Sequence, residues 1–174
     1  SLNGKIRQPL ADLGRNTAGI YIRFASDASA IGARYKTRAF NMDHMSATGV
    51  HGLDLYTIGD DGRWTTVASG RPGMRNTHPE MMIAQNMEPR MREYMLYLPL
   101  YDTCDSLYIG VNEGAAVKAS TLDSPQKDGY IIMYGTSILQ GACASRPGMG
   151  FTSILGRMLN RQVMNLGFSG NGRL

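Results

Sequence analysis

Ser137 sits in "YIIMYGTSILQG" (residues 130–141), an apolar run that breaks at a glycine and then offers a hydroxyl. A second apolar run, "QVMNLGFSGNG" (162–172), also closes in a glycine-rich loop. A serine beside backbone N–H groups that glycines can turn toward an anion is the kit for acyl transfer. The hydroxyl attacks a carbonyl and the amides hold the tetrahedral oxyanion. A plainer reading fits as well, because a serine after a strand commonly caps the next helix. "GTSIL" also lacks the second glycine of the G-x-S-x-G elbow. A phosphate loop of flavodoxin type is a third reading of "GTSILQG", without the lysine of the usual phosphate motif.

A nucleophilic serine needs a base within hydrogen-bond reach. The three histidines, His44, His51 and His78, all precede residue 119 and read as structural or surface groups. Asp43 and His44 are adjacent, which in a strand points their side chains apart. No H-x-H or C-x-x-C spacing provides a metal ligand set, and no cofactor is expected. Cys104 and Cys143 are too few for a disulfide framework, and Cys143 reads as a small buried residue. Asp54 and Tyr56 fit either a sugar-contacting surface or an inward aspartate that ties down a loop.

The elements that would position these groups fall into two kinds. From Gly19 to about Lys118 short alternating runs are separated by turns. They include "GIYIRF", "AIGARYKT" with Ile31, Ala33 and Tyr35 to one face, "GLDLYTI", "WTTVASG", "REYMLYLPLY" and "SLYIGV". "GDDGRW" supplies an Asp-Gly hairpin turn. The Met-rich stretch 81–91 reads as a loop. This pattern predicts an antiparallel β-sandwich, jelly-roll-like, over residues 1–119.

Residues 120–129, "STLDSPQKDG", suit a linker. From residue 130 the pattern changes to strand, helix, strand. "YIIMYG" is continuously apolar, as in a strand covered on both faces. Phe151, Ile154, Leu155, Met158 and Leu159 recur at helical spacing, with Pro147 where that helix could begin. The spacing predicts a βαβ unit with parallel strands, so both loops after the strands share one crevice. One such unit cannot bury two sheet faces. Residues 130–174 are therefore expected to open a larger domain, unless the unit docks on the sandwich and is complete.

Composition narrows the function classes. The chain has 174 residues, 43% hydrophobic and 18% charged, with a formal charge of +4. Its arginines are scattered, so the dense basic stripe of a nucleic-acid binder is missing. No run approaches the length of a membrane span.

"IIMYGTSILQGACASRPGMGFTSILGRMLNRQVMNLGFSGNGRL" resembles the opening of the SGNH (GDSL-type) hydrolases. Gly135-Thr136-Ser137 stands for the first block, with threonine where aspartate is common, and Gly170 for the second. "HGLDLYT" (51–57) is similar to the G-x-D-L-Y signature of a β-sandwich that precedes such hydrolases, and "EYMLYLPLYDTCDSLYIGV" (93–111) fits the same domain.

The resemblance implies a truncated α/β/α hydrolase domain behind the sandwich. Ser137 would be the nucleophile, and the Ser137 and Gly170 amides the oxyanion donors. The family's third donor, an asparagine, and its base, in an Asp-x-x-His block, belong to later blocks absent here; Asn171 is not that asparagine. The implied parent is a serine esterase acting on acyl or acetyl esters, with carbohydrate esters a frequent class. It would be secreted or periplasmic and completed by the remainder of the hydrolase domain, this chain alone being inactive. The competing expectation is a non-catalytic sandwich that binds carbohydrate or protein.

Overall fold

The computed structural model describes residues 6–73, 75–125 and 129–172. Alternating sequences fold into β1 (Tyr21–Ser26), β2 (Ile31–Lys36), β3 (Leu53–Ile58), β4 (Trp64–Gly70), β5 (Glu80–Ala84), β6 (Arg92–Tyr97), β7 (Ser106–Val111) and β8 (Val117–Ala119). One sheet has the order β4-β3-β6-β1-β8 and the other β5-β2-β7. All their pairings are antiparallel.

The alternation of Ile31, Ala33 and Tyr35 sends all three inward, where they meet Phe24, Leu53, Leu55, Tyr94 and Leu96 of the larger sheet in one core. The two sheets thus share a single hydrophobic interior, and we refer to them as the two-sheet unit. The hairpin between β3 and β4 turns at Gly62 with φ +75°, a conformation open to glycine at little cost.

One local reading needs correction, and two further features appear. Part of the Met-rich stretch is the strand β5, because Ile83 and Ala84 reach the core while the backbone pairs with β2. Two short helices also appear, α1 (Gln8–Leu13) and α2 (Ala47–His51); in the second, Ser46 Oγ accepts from the Gly49 amide at 3.1 Å as an N-cap. The segment read as a linker is tied down over 120–125. Arg23 donates to Ser120, Leu122 and Asp123, and Glu93 accepts from Thr121. Residues 126–128 of that segment lie outside the described residues, as do Arg173 and Leu174.

Behind it come β9 (Ile131–Gly135), α3 (Ser137–Gln140), a 3₁₀ turn (Pro147–Met149), α4 (Phe151–Leu159) and β10 (Val163–Gly167). As the spacing predicts, β9 and β10 pair in parallel, Val163 opposite Ile131 and Gly167 opposite Gly135. Pro147 opens the 3₁₀ turn rather than α4, which starts at Phe151 after Gly150.

The apolar runs do not end up as expected. One face of the two-strand sheet is open, with Ile132 64% exposed and Tyr134 and Met164 also exposed. On α4 the stripe is turned outward at Phe151, Met158 and Leu159, while Thr152 and Ser153 are buried. Contacts with the two-sheet unit and β10 select that polar face: Tyr97 Oη donates to Ser153 O, and Asn165 Nδ2 donates to Thr152 Oγ1 at 3.0 Å. Among the described residues no helix is long and apolar enough to cross a membrane.

Candidate active site

Parallel pairing brings the loops after β9 and β10 to the same end of the sheet. Phe168 N donates to Gly135 O at 2.9 Å, and a side chain at Gly172 would meet Thr136. Ser137 opens α3 just past β9, with Thr136 rather than Ser137 at the capping position, so the plain N-cap reading does not describe it. Ser137 is half-buried, and its hydroxyl makes no hydrogen bond to another described residue. Gly170 is exposed at φ +70°, in a turn closed by Asn171 N on Phe168 O at 2.8 Å. Neither the Ser137 nor the Gly170 amide donates to another described residue. A hydroxyl and two uncommitted amides in loops at one end of the sheet are the group types that attack on a carbonyl and capture of an oxyanion require.

The two-sheet unit reaches into this region through Leu100 and Tyr101. The Leu100 side chain packs where Gly141 and Gly150 leave room, at 2.9 and 3.2 Å from an ideal Cβ on each. Gly141 also has φ +115°, so glycine serves both the turn and the close approach. Tyr101 Oη donates to Ser137 O at 3.1 Å, and burial pushes its hydroxyl pKa up, keeping it a donor at neutral pH. A cleft of about 280 Å³ beside Tyr101 and Ser169 is lined by Leu13, Arg38, Phe40 and Met42.

The buried Gln140 went unnoticed in the sequence. Its Oε1 accepts from Ser169 N at 2.9 Å, and its Nε2 donates to Leu100 O at 3.2 Å. A glutamine five residues after a strand carries no local signal of this kind.

No histidine side chain joins this hydrogen-bonded arrangement. His51 is fully buried, with Nδ1 at 2.8 Å from Phe40 O and Nε2 at 2.9 Å from Gly73 O. His78 Nδ1 pairs with Thr77 Oγ1, and His44 is exposed. No hydrogen bond joins any of the three to Ser137. Among the described residues no group of three or more His, Cys, Asp or Glu could hold a metal ion. Both cysteines are free; Cys143 is exposed rather than buried, because the chain turns at φ +60° there as it leaves α3.

Asp54 ties down a loop, and that loop belongs to the other unit. The carboxylate is fully buried. Oδ1 accepts from Ser69 Oγ at 2.8 Å, Oδ2 accepts from Gly148 N at 2.9 Å, and Arg146 Nε lies 3.2 Å from Oδ2, off the hydrogen-bond line. Burial pushes this carboxyl up, while Ser69, Arg146 and Gly148 pull it back. Tyr56 closes the clasp: its ring fills the space a side chain on Gly148 would need, and Arg157 stacks 4.2 Å above it while donating to Gly148 O at 2.7 Å.

Asp54→Ala would strand the Gly148 amide and the Arg146 guanidinium. It is expected to cost about 2–4 kcal/mol, read as a lower urea midpoint at unchanged slope. An unchanged midpoint would show that the clasp contributes nothing.

Residues 1–117 match the family model GxDLY, described as the N-terminus of esterase SGNH hydro-type. Residues 128–174 match the GDSL-like lipase/acylhydrolase family. A crystal structure from Bacteroides ovatus ATCC 8483, assigned as a GDSL-like lipase, is 37% identical with a TM-score of 0.89, covering 96% of this chain and 48% of that one. A salicylyl-acyltransferase from a tetracycline biosynthetic pathway is 16% identical with a TM-score of 0.68, covering 96% of this chain and 44% of that one, a likeness of fold alone. The chain thus spans about half the length of these solved structures. No curated protein matches the sequence.

Proposed function

The chain belongs to the GxDLY family, the N-terminus of SGNH-hydrolase-type esterases, and from that premise we propose that it is the front half of a serine esterase with Ser137 as nucleophile. The observation that carries this reading is the parallel pairing of β9 with β10, which sets the Ser137 turn and the Gly170 loop at one end of the sheet with their amides uncommitted.

In this mechanism Ser137 Oγ attacks the ester carbonyl as its proton passes to a base. The Ser137 and Gly170 amides hold the oxyanion. Collapse breaks the bond to the alcohol oxygen, which takes the proton and leaves an acyl-Ser137. Water then attacks that acyl group with the same base accepting its proton, and Ser137 is regenerated.

The base would come from a further part of the hydrolase domain. Two observations support a missing neighbour. Ile132, Tyr134 and Met164 expose an apolar face of the two-strand sheet, and Phe151, Met158 and Leu159 an apolar stripe of α4, as expected of surfaces that a neighbour covers. In addition, among the described residues β9 pairs on one edge only. On this reading the two antiparallel sheets are a β-sandwich of jelly-roll type and residues 130–174 are the first βαβ unit of an α/β/α domain. The isolated chain would hydrolyse esters poorly. Substrates would be small acyl esters, acetylated carbohydrates among them, met by an exported enzyme.

A fluorophosphonate tests the nucleophile. In the enzyme with its complete hydrolase domain, Ser137 Oγ should attack the probe's phosphorus and expel its fluoride, leaving one phosphonyl group on the peptide containing Ser137, seen by mass spectrometry. Labelling elsewhere, or none, would remove this assignment.

A further inference from the structure

We propose that Gln140 and Tyr101 are positioning residues that lock the Ser137 turn and the Gly170 loop to each other through the two-sheet unit, which makes that unit part of the catalytic centre rather than a detachable accessory. The inference rests on the esterase reading above.

Gln140 is 1% exposed, and its side-chain amide offers an acceptor at one corner and a donor at the other whatever the pH. The acceptor takes Ser169 N and the donor reaches Leu100 O. One residue therefore joins α3, the glycine loop and the two-sheet unit.

Ser169 is held at its other end as well, because its carbonyl accepts from Asn171 Nδ2 at 2.8 Å. That carbonyl and the Gly170 N–H belong to one planar peptide, so fixing the oxygen aims the N–H the opposite way. On the nucleophile side, Ser137 O accepts from Gly141 N at 3.1 Å, Ala142 N at 2.8 Å and Tyr101 Oη. Tyr101 is 3% exposed and belongs to the same chain segment as Leu100. Two adjacent residues of the two-sheet unit thus anchor the Gly170 loop, through Gln140, and the turn that begins at Ser137. Donors of this kind must keep their place within about 0.5 Å to act on a transition state.

A purely structural role would lower stability without singling out the chemical step, and the test separates the two. Variants are made in the enzyme with its complete hydrolase domain and assayed with 4-nitrophenyl acetate. Gln140→Leu should lower kcat about 100-fold at a KM within about two-fold, with Tm falling by no more than about 4 °C. Tyr101→Phe should lower kcat by roughly five- to ten-fold, one neutral hydrogen bond being lost.

Gln140→Glu carries the sharper signature. The ionised acid still accepts from Ser169 N but faces Leu100 O without a proton to give; the neutral acid restores the donor. Its rate relative to the parent should therefore rise as pH falls through the glutamate's titration. A Gln140→Leu enzyme with kcat within two-fold of the parent, or a Gln140→Glu ratio that is flat with pH, would overturn the proposal. Ser137→Ala measured in parallel keeps the two questions apart: parent-like activity there removes the esterase reading, whereas loss there beside a parent-like Gln140→Leu removes the frame alone.

Discussion

Ser137→Ala in the enzyme with its complete hydrolase domain is expected to lower ester hydrolysis by roughly 10³- to 10⁶-fold, with folding stability changed by no more than about 0.5 kcal/mol. The two expectations follow from the same geometry. The Ser137 hydroxyl makes no hydrogen bond to another described residue, so removing it orphans no partner. The hydrogen bonds that order the turn run through its carbonyl, which accepts from Gly141, Ala142 and Tyr101 and is unaffected by the change. On the proposed mechanism, the substitution leaves an oxyanion site without a nucleophile. Initial rates with 4-nitrophenyl acetate, paired with urea unfolding of the same preparation, check both halves. A variant as active as the parent would end the esterase assignment, while a lost rate accompanied by a collapsed midpoint would show that Ser137 is structural.

The second large effect is expected at Gly167, where no chemistry occurs. This residue ends β10 opposite Gly135, and a Cβ there would run into the backbone of Gln140 and lie 2.7 Å from the Leu139 carbonyl carbon. Backbone cannot rotate out of the way as a side chain can, so β10 or α3 must move. Gly167→Ala should cost about 3 kcal/mol and, by shifting the Gly170 loop from Ser137, lower kcat about 100-fold. Gly170→Ala is the contrast. Its φ of +70° makes alanine unfavourable by about 1–2 kcal/mol, but open space surrounds the position and the amide is retained. The expected order of destabilisation is therefore Gly167 above Gly170, measured by thermal and urea unfolding. The reverse order would mean that close packing of the strand end against α3 is not what holds the loop.

Several parts of the fold were legible because their signals are local. Period-two alternation in β2 put Ile31, Ala33 and Tyr35 on one face, and the core received all three. The Asp-Gly turn before Trp64 needed only a backbone preference. Strand, helix and strand at short spacing leave parallel pairing as the ready arrangement, and the loops of Ser137 and Gly170 then share an end. The strand within 81–91 was hidden because its residues do not alternate clearly in polarity; pairing with β2 makes it a strand.

By itself, then, the sequence determined the inward face of β2, the turn at Gly62 and the parallel pairing that puts the loops of Ser137 and Gly170 at one end of the sheet. All of these follow from backbone preferences and side-chain periods acting over a few residues. Tertiary structure decided the rest. Asp54 meets the Gly148 amide 94 residues away, and Gln140 joins Leu100 to Ser169. The helix from Phe151 turns Thr152 and Ser153 inward and its apolar stripe outward. Nothing within a few residues of Asp54 or Gln140 says which distant donor or acceptor it will meet. That choice is made only when two units pack and every polar group closed off from water must find a partner.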